Sequence, residues 1–131
     1  MHENEVLPDD FFEAFMAEYT AAWNREDLDA IESFYNYPFF SYKEGRLQVW
    51  LNADSGRDED VGWIEVNRRE GPASWERVSS SLLRLGRNSV LITTRWVFRR
   101  PDGTTVWDFV DSFHLCRFDG KWLFLDRTVH E

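Results

Sequence analysis

The chain has 131 residues, 43% of them hydrophobic and 17% aromatic, enough for one domain, 1–131, with a substantial core. Its 24 acidic against 15 basic residues give a net charge of −9, which argues against nucleic acid and anionic membrane surfaces as partners. A single cysteine, Cys116, excludes an intrachain disulfide and a cysteine-built zinc site, and a buried, inert thiol is the expectation for it.

The opening MHENEVLPDD is acidic and lacks an apolar run, so it does not read as a signal peptide. No window approaches a membrane span, and a cytoplasmic location is expected. The spacing then predicts a first helix over Asp9–Asn24, with Phe12, Phe15, Met16, Tyr19, Ala22 and Trp23 on one stripe. Asp9 and Asp10 stand where an N-cap and first turn favour carboxylates. A short second helix is predicted from Asp27 to Phe34. Pro38 ends helical continuation, and the aromatics of Tyr35–Phe40 suggest a short strand reaching towards Tyr42. Between Ser55 and Arg69, Val61, Trp63 and Ile64 fit a third helix broken at Gly71-Pro72, with a polar loop as the alternative.

After Pro72 the period changes to two. Strands are predicted at Ser74–Leu85, Ser89–Arg99, Thr105–Phe118 and Lys121–Val129, separated by Gly86-Arg87-Asn88, Pro101-Asp102-Gly103 and Asp119-Gly120. Helices first and strands after make an α+β class: two or three N-terminal helices packed on a cone-like, curved antiparallel sheet that encloses a pocket.

Tight turns centred on Asp102-Gly103 and Asp119-Gly120 would pair Phe98 with Trp107, Trp96 with Phe109, Thr94 with Asp111, Ile92 with Phe113, Leu115 with Phe124 and Phe113 with Asp126. Alternation then puts an aromatic face towards the helices. That face holds a polar island of Asp111, Asp126, Thr94 and Thr128, and no basic residue before Arg117. The opposite face carries Leu91, Val97, Val110, Leu123, Leu125, Arg127 and His114. Asp111 and Asp126 would be diagonal neighbours within about 8 Å. Carboxyls among apolar groups resist ionisation and can act as general acids or hydrogen-bond donors. The alternative is that each caps a backbone group or pairs with an arginine. Tyr19 and Trp23 on the first helix add a hydroxyl and a flat wall. Tyr35, Trp96, Trp107 and Phe113 complete the expected ligand-contacting set. Ser112, His114 and Asp108 form a triad only on paper, because neighbours two apart on a strand seldom align. No metal site and no cofactor are expected.

The segments FFEAFMAEYTAAWNREDLDAIESFY and RWVFRRPDGTTVWDFVDSFHLCRFDGKWLFLD resemble the nuclear transport factor 2-like superfamily, which includes ketosteroid isomerases, scytalone dehydratase and small polyketide cyclases. The resemblance covers nearly the whole chain. It implies a pocket between the helices and the concave sheet face, and a homodimer through the outer face. Such isomerases use a first-helix tyrosine, an aspartate base and a second acidic donor. Tyr19 matches the tyrosine and Asp111 the donor's strand, while FYNYPFFSY offers no aspartate base. The dehydratase type uses pocket histidines. Here only His114 lies within the sheet, and His2 and His130 are terminal. The expected function is therefore binding of a small apolar or aromatic molecule. A proton-transfer enzyme using Asp111 with Asp126 or Tyr19, and an interaction domain whose cone is filled by side chains, are the alternatives.

Overall fold

The computed structural model describes residues 6–71 and 73–130. The expectations for His2 and Pro72 lie outside the described residues. Helix α1 (Asp9–Asn24) buries Phe12, Met16, Tyr19 and Ala22, the stripe that the spacing defines. Pro8 occupies its N-cap without a side-chain bond, and Asp9 and Asp10 fill the first turn. Helix α2 is shorter than expected, Leu28–Glu32, and is capped by Asp27 accepting from the Ala30 N–H.

Two strands follow, β1 (Tyr35–Lys43) and β2 (Arg46–Trp50). The sequence reading has no counterpart to β2. Leu47 and Val49 are exposed in it and only Trp50 is buried, so it lacks an apolar buried face to announce it. The stretch left open between helix and loop is helix α3, Ala53–Arg69. Asn52 and Ser55 close it with a reciprocal capping box.

The remaining strands are β3 (Ser74–Arg84), β4 (Ser89–Arg99), β5 (Thr105–Phe118) and β6 (Lys121–Val129). All six form one sheet in the order β2-β1-β6-β5-β4-β3. The class is α+β, but the sheet is mixed, because β1 runs parallel to β6. The β1–β2 hairpin adds to the last strand of the chain, a pairing that no local turn dictates.

The β4–β5 register has Trp96 opposite Phe109, Thr94 opposite Asp111 and Ile92 opposite Phe113. The turn is not the expected two-residue one. Arg100 N–H donates to Thr104 O, and Arg99 faces Thr105. An extra residue at Val106 then restores the expected pairing from Phe98–Trp107 onward.

The β5–β6 hairpin departs where it matters. Leu115 faces Phe124, but His114 faces Asp126 and Phe113 faces Arg127. Leu125 is the extra residue of a bulge, and it inverts every later side chain of β6. Asp126 and Thr128 therefore leave the helix-facing side, and Arg127 and Val129 enter it.

The core joins the α1 stripe to Phe39, Trp50, Val90, Ile92, Trp96, Phe113, Leu115, Trp122 and Phe124. Phe113 and Phe124 stack with centroids 4.0 Å apart. Burying rings of this size contributes about 2 kcal/mol or more each. Among the described residues, no helix is long and apolar enough to cross a membrane.

Candidate functional site

The aromatics do not fill the space between the helices and the sheet. A cavity of about 210 Å³ remains, reached from α1, α3, β1 and the inner faces of β3–β6. Six of the seven tryptophans line it, all but Trp122. Edge-on contacts set the walls: Trp63 against Trp107 at 5.2 Å, and Trp75 against Trp96 at 6.3 Å and Phe109 at 5.7 Å. Lys43 Nζ stands 5.8 Å from the centre of the Trp63 ring.

Asp111 lines the cavity at 2% exposure, and Trp96 Nε1 donates to its Oδ1 at 2.8 Å. Burial raises its pKa to about 6, against the lowering effects of the Arg127 charge and the indole bond. Tyr19 and Tyr35 meet through a hydroxyl–hydroxyl hydrogen bond at the cavity wall. Burial pushes both hydroxyls well above the ordinary tyrosine range. Trp23, Trp96, Trp107 and Phe113 also line the space.

Asp126 does not. The Leu125 bulge turns it outward, where His114 Nδ1 lies 3.3 Å from its Oδ2. The carboxylate pair expected at Asp111 and Asp126 is thus absent. Its place is taken by Asp111 and the guanidinium of Arg127 on one face, so the expectation that no base shares that face is also corrected. The paper triad is not formed. Ser112 bonds Thr93 and His130 at 2.7 Å each, and His114 lies between Asp126 and Ser89, the latter at 3.2 Å. That relay sits on the outer face, away from the cavity. His130 is held by its Ser112 bond and by its own N–H on Val110 O. Cys116 is half-buried rather than buried.

The residue that sequence reasoning missed is Asp60. It lies on α3, is 5% exposed and lines the cavity. Among the described residues its carboxyl has no hydrogen-bond partner. Burial raises its pKa to about 7, neighbouring Glu59 adds to this, and Arg127 opposes it. Its signal was available: an i, i+3, i+4 relation places Asp60, Trp63 and Ile64 on one helical face, once the segment is known to be a helix. Among the described residues, no group of three or more His, Cys, Asp or Glu is arranged to hold a metal ion.

Over residues 5–131 the chain matches an NTF2-like protein family, DUF6841. In fold it is similar to an NTF-2 like protein of unknown function from Shewanella oneidensis MR-1. The TM-score is 0.73 at 18% identity, covering 95% of this chain and 100% of that one. A protein of unknown function with a cystatin-like fold from Nostoc punctiforme gives TM-score 0.75 at 8% identity, with 95% and 92% covered. An uncharacterized cystatin-like protein from Caulobacter vibrioides gives 0.68 at 15%, with 94% and 89% covered. No curated protein matches the chain.

Proposed function

The chain belongs to the NTF2-like family DUF6841, and from that premise we propose that it binds a small, flat, largely apolar molecule in the tryptophan-walled cavity. The observation that carries this reading is open space of about 210 Å³ beside buried polar groups, Asp60 and Asp111, that face it. A dry cavity of about 150 Å³ accepts one benzene, so this volume suits one or two rings. Titration with 2-naphthol tests it through intrinsic fluorescence, because all but one of the tryptophans report from the cavity wall. Saturable, one-to-one quenching is expected, and its loss in Val129→Trp, which fills the space. A linear response in the wild type would refute the reading.

A second reading, proton transfer on the bound molecule, is favoured by the raised pKa values of Asp60, about 7, and Asp111, about 6. A carboxyl poised near neutrality can take a proton from a weak carbon acid and return it elsewhere. Deuterium exchange into an enolisable ketone such as 2-tetralone, followed by NMR, would reveal it. Equal exchange in wild type and the Asp60→Asn/Asp111→Asn double variant would exclude it.

We also propose that two copies pair through the outer sheet face. Strand alternation puts partly exposed Leu91, Val110 and Leu123 at the middle of that face, with exposed Tyr42, Leu47 and Val49 at one edge of the sheet and Leu83 at the other, a surface that association would cover.

A further inference from the structure

Four polar atoms of the cavity lining are sealed from solvent without a hydrogen-bond partner among the described residues: Nε of Arg127, the indole nitrogens of Trp75 and Trp107, and Oε2 of Glu59. Three of the four are donors. Buried donors left unpaired are costly, and native proteins keep few of them. The atoms themselves are covered, but the residues that carry them line open space, and Arg127 among them brings a full positive charge to it.

Arg127 makes the point most strongly. Its hydrogen-bond partner among the described residues is Ser41 Oγ, 3.4 Å from Nη2, and it forms no ion pair among them. A guanidinium cannot discharge itself by losing a proton. The carboxyls that feel its charge behave differently. Burial outweighs that charge at both Asp111 and Asp60, so they can neutralise themselves by protonation rather than by pairing. The positive charge is permanent, whereas the negative charges of Asp111 and Asp60 are not. Indole faces and the carboxylates of Glu59, Asp60, Asp108 and Asp111 could instead suit a cation, but that arrangement would leave the Arg127 guanidinium without a counter-charge.

The register fixes the layout. Arg127 stands opposite Phe113, whereas Trp75 and Trp107 flank Phe98, three inward-facing rows along the sheet. The backbones are separated by roughly 20 Å, and long side chains reach into the interval from both ends. Resting on the small-molecule reading above, we propose that the ligand is a one- or two-ring aromatic carboxylate. Its carboxylate accepts from the Arg127 guanidinium, and its rings lie against the indole walls of Trp75 and Trp107.

Calorimetric titration of the full chain with 2-naphthoate, 2-naphthylmethanol and 2-naphthylmethylammonium tests this. The carboxylate should bind at least about ten-fold more tightly than the alcohol, as a charge-assisted bond to a buried guanidinium implies, and the ammonium most weakly. Arg127→Gln should abolish the preference, while Arg127→Lys should keep part of it. Equal binding of carboxylate and alcohol, or tightest binding of the ammonium, would overturn the carboxylate assignment and leave the pocket reading standing. Binding of none of the three would overturn both. The wild-type ranking decides the matter even if Arg127→Gln does not fold.

Discussion

Replacing Asp60 with asparagine keeps the side chain's shape and removes its charge. The carboxyl is 5% exposed, and burial raises its pKa from 3.8 to about 7. A carboxyl whose folded value exceeds its unfolded value binds its proton more tightly when folded. The resulting stability is complete below the unfolded value and is lost as pH rises through about 7. The gap between 3.8 and about 7 corresponds to about 4 kcal/mol, an upper figure because cavity water would soften it. From pH 4 to pH 8 the wild type should lose about 2–4 kcal/mol more than Asp60→Asn. At pH 8 the variant should therefore be the more stable protein. Urea unfolding followed by tryptophan fluorescence measures this as a relative midpoint shift of about 1–3 M. Parallel midpoints for the two proteins at pH 4 and pH 8 would show that Asp60 is solvated or paired in solution, and the reasoning would fail.

Two glycines of α3 make a matched pair. A Cβ on Gly56 would lie 2.8 Å from the Trp50 ring, whereas one on Gly62 would meet nothing within 4 Å. Gly56→Ala should destabilise by about 1–3 kcal/mol despite its better helix propensity, and Gly62→Ala should stabilise by about 0.5–1 kcal/mol, both read by thermal or urea unfolding. Trp96→Phe removes the 2.8 Å bond to Asp111, a lowering influence, so the Asp111 pKa should rise above about 6, as carbon-13 NMR would report; an unchanged or lower value would contradict the arrangement. Light scattering at micromolar concentration should give the mass of a dimer, and Leu47→Asp with Leu83→Asp should return the monomer.

The elements legible in the sequence are those whose information is local. Helix α1 follows from a stripe at three- and four-residue steps, and its observed bounds, Asp9–Asn24, are the predicted ones. The four later strands follow from alternation punctuated by turn residues, and Asp111 keeps its expected face because the extra residue at Val106 offsets the longer turn. Helix α3 was ambiguous, since its seventeen residues carry few apolar groups, and Asp60 was overlooked with it. β2 escaped because its apolar side chains face outward. What only the tertiary structure decided is the identity of the charges in the cavity. Alternation along a strand is a phase, and one extra residue reverses it. Leu125 inserts that residue with no glycine or proline to announce it, so Asp126 and Arg127 exchange faces. The bulge is chosen by the whole of β6 at once. The strand must present Phe124 to the core and still pair in parallel with β1, placing Arg127 beside Ser41. That condition joins residues 86 positions apart, and no local pattern contains it.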